Sequence, residues 1–145
     1  MQSPAEAEAP PSYSRPVGDI LNATARIEAL TKSYSVVFLT TAEVLSSLPV
    51  KPEHRLLDRV IVRGKTTPLD LIELRHPFNA LRFERTAADY STAFQLYQRG
   101  EFAEAARLFQ ILAPEDPPSR LLASRCAALA VDPPGEWNGV FKLET

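Results

Sequence analysis

Asn22 and Arg26 lie four residues apart, behind Gly18 and Asp19, in the run RPVGDILNATARIEAL from Arg15 to Leu30. Gly18 marks a turn and Asp19 opens a helix, so the amide and the guanidinium stack on one face of its first turns. Ile20, Ala23, Ile27 and Leu30 recur at helical spacing as an apolar stripe, which leaves the Asn/Arg pair pointing away from the core. A pair of this kind near a helix N-terminus, where unpaired N–H groups attract negative charge, suits a phosphate neighbourhood. A second cluster of positive charge, Arg59, Arg63 and Lys65, sits on and at the end of an expected hairpin, an arrangement that also keeps a sheet edge soluble.

Other reactive residues are sparse. Cys126 is the sole cysteine of the 145 residues, which excludes an intrachain disulfide and a cysteine metal cluster. Its spacing from Leu122 and Leu129 reads as a small buried thiol. His54 and His76 each lack a neighbouring Cys or second His, so metal ligation by either is not expected. The net charge of −2, from 16 basic and 18 acidic residues, gives no global field for nucleic acid. No apolar run reaches the roughly 18 to 20 residues of a membrane-spanning helix, and MQSPAEAEAPPS lacks the pattern of a secretory leader. A soluble cytoplasmic chain is the expectation.

The elements that must position these residues follow in order. Residues 1–14, rich in Pro, Ala, Glu and Ser, read as a disordered tail. A helix from Gly18 to about Lys32 precedes a short buried strand, Ser35 to Thr40. Thr40 and Glu43 have capping-box spacing for a helix over about Ala42 to Leu48. Arg55 to Arg63 and Leu69 to Arg75 read as two strands joined over Gly64 to Pro68, with Val60 and Val62 facing one way and Arg59, Ile61 and Arg63 the other. The order is αβαββ.

Beyond His76-Pro77 the pattern is helical. Thr86 and Asp89 can cap a helix whose stripe is Tyr90, Ala93, Phe94 and Tyr97; Gly100 breaks it, and Phe102, Ala105, Phe109 and Leu112 mark a second. The two are expected to form an antiparallel hairpin, covered by a third helix over about Ser119 to Leu129. Trp137, Val140, Phe141 and Leu143 read as a tail returning to the fold.

The string GDILNATARIE resembles the Gly-Asp-x-x-Asn-x-x-x-Arg-(Ile/Leu)-Glu segment of class III adenylate/guanylate cyclases. The succession downstream, ending in a hairpin that carries Val62-Arg63-Gly64-Lys65, is similar to the second half of their catalytic domain. LYQRGEFAEAARLFQIL followed by DPP resembles a tetratricopeptide unit, with Gly100, Ala105, Phe109 and Pro117 at its Gly, Ala, aromatic and Pro positions. This ending resembles the C-terminus of bacterial cyclases whose full-length forms carry a membrane-bound sensor. The implied fold is α/β (α+β): a partial ferredoxin-like cyclase catalytic domain over residues 15–76, a tetratricopeptide-like region over 77–131, and a tail over 132–145.

The resemblance implies roles residue by residue. Asn22 would hold the ribose of a nucleoside triphosphate and Arg26 would stabilise the transition state. Arg63 stands where the family has a phosphate-contacting Lys, and keeps the charge with a different geometry. Arg15 stands where many members carry a base-selecting Asp, Thr or Cys, so the substrate-binding set is Arg63 and Arg15, with ATP favoured over GTP from the bacterial layout alone. Magnesium or manganese serves the family, yet its two metal-binding Asp residues have no counterpart in residues 1–14. The chain by itself is therefore expected to be inactive. Dimerisation with a cyclase domain is the implied partnership; the alternative is a non-enzymatic module that binds a protein at the helical hairpin.

Overall fold

The computed structural model describes residues 28–144, and the chain divides into two compact units, Met1–Ser33 and Tyr34–Thr145. Residues 28–34 are helical (α1). Ser35 then takes φ 56°, the left-handed conformation that commonly ends a helix. The rest of the architecture belongs to the second unit, an α/β arrangement of a four-stranded mixed sheet with the helices that follow.

The first strand, β1, covers Leu39–Thr41, not the expected Ser35 to Thr40. The turn at Ser35 uses up the start of that run, and Val37 stands 75% exposed. Thr41, one residue later than the expected Thr40, caps α2 (Ala42–Ser46), its hydroxyl accepting from the Val44 N–H at 3.3 Å. The capping-box pairing with Glu43 is thereby out of register.

The long hairpin is β2 (His54–Ile61) and β3 (Leu69–Leu74), antiparallel, with β1 antiparallel to the far side of β3. The β2–β3 register slips between Leu56 and Asp58. Leu57 is thus the extra residue of a bulge, and the Tyr90 hydroxyl donates to its carbonyl at 2.7 Å. Such an insertion inverts which face each residue takes. Arg55 is buried before the bulge, Leu57 within it, and Asp58 and Val60 after it, so four residues that a plain alternation would divide between two faces all turn inward.

Three helices follow: α3 (Ala80–Gln98), α4 (Phe102–Leu112) and α5 (Pro117–Val131). Tyr90 meets Phe109 and Tyr97 meets Phe102. Positions seven apart on α3 thus touch positions seven apart on α4 in reversed order, which makes the pair antiparallel. Gly100, at φ 84°, joins them. Its N–H donates to the Tyr97 carbonyl and that of Glu101 to the Leu96 carbonyl, the two bonds of a Schellman ending. Helix α3 begins before the expected Thr86 cap: Thr86 is interior and buried, its hydroxyl donating to the Arg82 carbonyl at 2.8 Å. Helix α5 starts at Asp116 followed by two prolines, whose fixed φ suits a first turn.

The C-terminal tail returns to the fold. Trp137 stacks edge-on with Tyr97 and Phe102, and its indole N–H donates to the Tyr97 carbonyl at 3.0 Å. Phe141–Lys142 then forms β4, parallel to β2, completing the order β1-β3-β2-β4. None of the described helices is long and apolar enough to cross a membrane.

Candidate functional site

The β2–β3 turn places Val62-Arg63-Gly64-Lys65 at a tip of the sheet. The Lys65 N–H donates to the Val62 carbonyl at 2.9 Å with Gly64 at φ 84°, the positive φ at the third position that a type II turn requires. A Cβ at Gly64 would meet nothing within 4 Å, so the glycine serves conformation and not close packing. Arg63 and Lys65 are exposed. They line an open cleft of about 390 Å³ with Thr66, Lys142 and Glu144.

Arg59, the third cation of the cluster read from sequence, is engaged elsewhere. It sits opposite Asp70 across the two strands and forms a two-pronged pair with it, Nε to Oδ1 at 2.6 Å and Nη2 to Oδ2 at 3.0 Å. Its charge is neutralised locally, which leaves Arg63 and Lys65 of that cluster to meet an anion.

Two buried polar networks lie beneath the sheet. In the first, Arg55 donates through Nε to Glu73 at 2.9 Å and through both terminal nitrogens to Asp116 at 3.1 and 2.7 Å, while its guanidinium lies 4.6 Å from the Tyr90 ring centre. Arg82 bridges the same two carboxylates, at 2.6 Å each. Two arginines thus balance two carboxylates. Ser119 donates to Asp116, and Asn79 to Glu73 and to the Leu74 carbonyl. Burial works against the charge of Asp116, but the Arg55 fork overrides it and holds the carboxyl below its ordinary range. The network joins β2, β3, α3 and α5.

In the second, Asp58 accepts from the Tyr34 hydroxyl at 2.5 Å, from Arg125 at 2.6 Å and from the Arg59 N–H at 2.9 Å. Arg125 also donates to the Tyr97 hydroxyl at 3.1 Å and lies 3.8 Å from the Phe141 ring centre. Burial pushes the Asp58 carboxyl up, against the pull of Arg125 and Tyr34. Burial also raises the phenols of Tyr34 and Tyr97. These groups hold shape; none opens onto the cleft at the turn.

Of the residues assigned roles from sequence, Arg63 is placed, beside Lys65. Arg15, Asn22 and Arg26 lie outside the described residues, as does the tail 1–14. His76 is stacked between Phe38 and Phe78, and the Nδ1 of His54 lies 3.0 Å from the Pro52 carbonyl. Cys126 is fully buried. Among the described residues no group of three or more His, Cys, Asp or Glu is placed to hold a metal ion. Sequence reasoning missed Arg55, Asp58, Glu73, Asp116 and Arg125 as a buried set, and Lys142 at the cleft. A charged residue in phase with apolar neighbours, as Glu73 is with Leu71, was the available signal.

The chain matches no family model, and no curated protein or solved structure is significantly similar to it.

Proposed function

We propose that this chain carries the second half of a class III nucleotide cyclase site: a partial ferredoxin-like catalytic piece followed by a tetratricopeptide-like helical region. The observation behind this reading is the antiparallel β2–β3 hairpin with Val62-Arg63-Gly64-Lys65 at its turn, coming after the GDILNATARIE segment in the order helix, strand, helix, strand, strand. Cyclisation requires the 3′-hydroxyl held in line with the α-phosphorus and cations where charge grows on phosphate oxygens. Asn22 would orient the ribose, Arg26 would meet the developing charge, and Arg63 would bind the terminal phosphates. Bound magnesium or manganese would activate the hydroxyl and take up the pyrophosphate; the carboxylates for it would come from a partner cyclase domain.

Binding of a fluorescent ATP analogue tests this. Binding that weakens in Asn22→Ala and in Arg63→Ala supports the assignment, and binding that both variants leave unchanged contradicts it.

A further inference from the structure

The hairpin turn is not the sole source of positive charge at the cleft. Strand β4 returns from the far end of the chain and pairs in parallel with β2, with Lys142 opposite Ile61 and the Leu143 N–H donating to the Ile61 carbonyl at 2.9 Å. Paired residues share a face, and so do residues two apart along an extended chain. Arg63, two beyond Ile61, therefore comes round to the side that Lys142 occupies, and both line the same cleft. The tail is held there at a second point, since Arg63 Nη1 donates to the Glu144 carbonyl at 3.5 Å.

The electrostatic state of these cations sets them apart. Most of the described arginines hold carboxylates, including Arg59 on β2 and Arg75 just beyond β3. Among the described residues, Arg63, Lys65 and Lys142 form no ion pair. Three exposed cations line one concavity together with Thr66, and among the described lining residues Glu144 is the one acidic residue. Like charges brought together without partners repel, and a multivalent anion relieves that repulsion. A cleft of about 390 Å³ accommodates a chain of phosphates.

We infer that Lys142, delivered by β4, is a further phosphate-binding residue that acts with Arg63 and Lys65 on the polyphosphate of the ligand. This rests on the cyclase reading for the role of Arg63 and extends it to a residue outside the hairpin. The C-terminal tail thereby has two roles, since β4 completes a binding surface in addition to covering the edge of β2. The polyphosphate belongs either to a nucleoside triphosphate or to an inorganic oligophosphate.

Calorimetric titration of the intact chain with inorganic triphosphate, and separately with ATP, decides. Lys142→Ala and Arg63→Ala are each expected to weaken binding of both ligands by roughly two- to fivefold, the upper part of the range for one exposed charge contact. Lys142→Arg, which keeps the charge, is expected to restore it. ATP bound more tightly than triphosphate would identify the nucleotide as the ligand; equal affinity would identify the phosphate chain alone. If Arg63→Ala weakens binding and Lys142→Ala does not, the role of Lys142 is overturned while that of the hairpin stands. If the wild-type chain binds neither ligand, both fall.

Discussion

Arg55 and Asp116, separated by 61 positions in the chain, meet in the interior through two N–H···O bonds of 3.1 and 2.7 Å. The contact fastens the central strand β2 to the N-terminus of α5, so the sheet and the last long helix cannot shift independently without uncovering a charge. A buried pair adds little over a well-packed apolar substitute, but removing one partner leaves the other uncompensated. Asp116→Asn is therefore expected to cost about 3–5 kcal/mol in urea unfolding, since Arg55 and Arg82 then face Glu73 alone. A loss below about 1 kcal/mol would show that the network is not maintained in solution.

Acid should act on the two networks with opposite sign. The folded pKa of Asp116 is depressed, so its contribution is fully present above the unfolded value of about 3.9 and is lost as pH falls through the folded value. The folded pKa of Asp58 is raised by burial, so its contribution is full below about 3.9 and is lost as pH rises through the folded value. Urea midpoints measured from about pH 6 to about pH 2.5 should fall more steeply in the wild type than in Asp116→Asn. Asp58→Asn should steepen the fall. Parallel curves for all three proteins would contradict the assignment.

The α3–α4 turn offers a local test. Gly100 takes φ 84° with Trp137 at ordinary contact distance, 3.5 Å, from where a Cβ would lie, so Gly100→Ala should cost about 1–2 kcal/mol from backbone strain. Ala105 is fully buried on α4. Ala105→Leu should cost about 1–3 kcal/mol by overpacking. An unchanged melting temperature in either variant would show that the helices do not pack as described.

Cys126 lies on α5 at 0% exposure, and burial, opposed by Arg125, pushes its thiol up to about 12. A thiol reagent at about pH 8 should leave the folded chain unmodified and label it at once in denaturant. Rapid labelling of the folded chain would mean that α5 opens.

The helical stripes were legible in the sequence because each is written at one constant period. Tyr90, Ala93, Phe94 and Tyr97, and then Phe102, Ala105, Phe109 and Leu112, are all buried as read. The interior face of β2 was not legible. Alternation counted back from Val60 and Val62 puts Arg55 and Leu57 outside, and only the bulge at Leu57 returns them to the core. The start of α3 was missed for a related reason: Thr86 resembles a cap, but its hydroxyl finds the Arg82 carbonyl one turn back and lets the helix continue. At the cleft, Arg63 was evident from its turn. Lys142 was not, because nothing local in DPPGEWNGVFKLET announces a parallel partner so distant in sequence.

If residues 15–145 supply the nucleotide-handling half of a cyclase site, as proposed, joining them to a metal-binding half should give catalysis. The chain alone, with magnesium or manganese and ATP or GTP, should form no cyclic nucleotide. The first half of a bacterial class III cyclase catalytic domain, with both metal-binding Asp residues, would be joined ahead of Arg15 and the product assayed by cyclic nucleotide formation. Activity is expected from this chimera, abolished by Arg26→Ala and strongly reduced by Asn22→Ala. A folded chimera that makes no cyclic nucleotide, or one whose activity survives Arg26→Ala, would contradict the cyclase assignment.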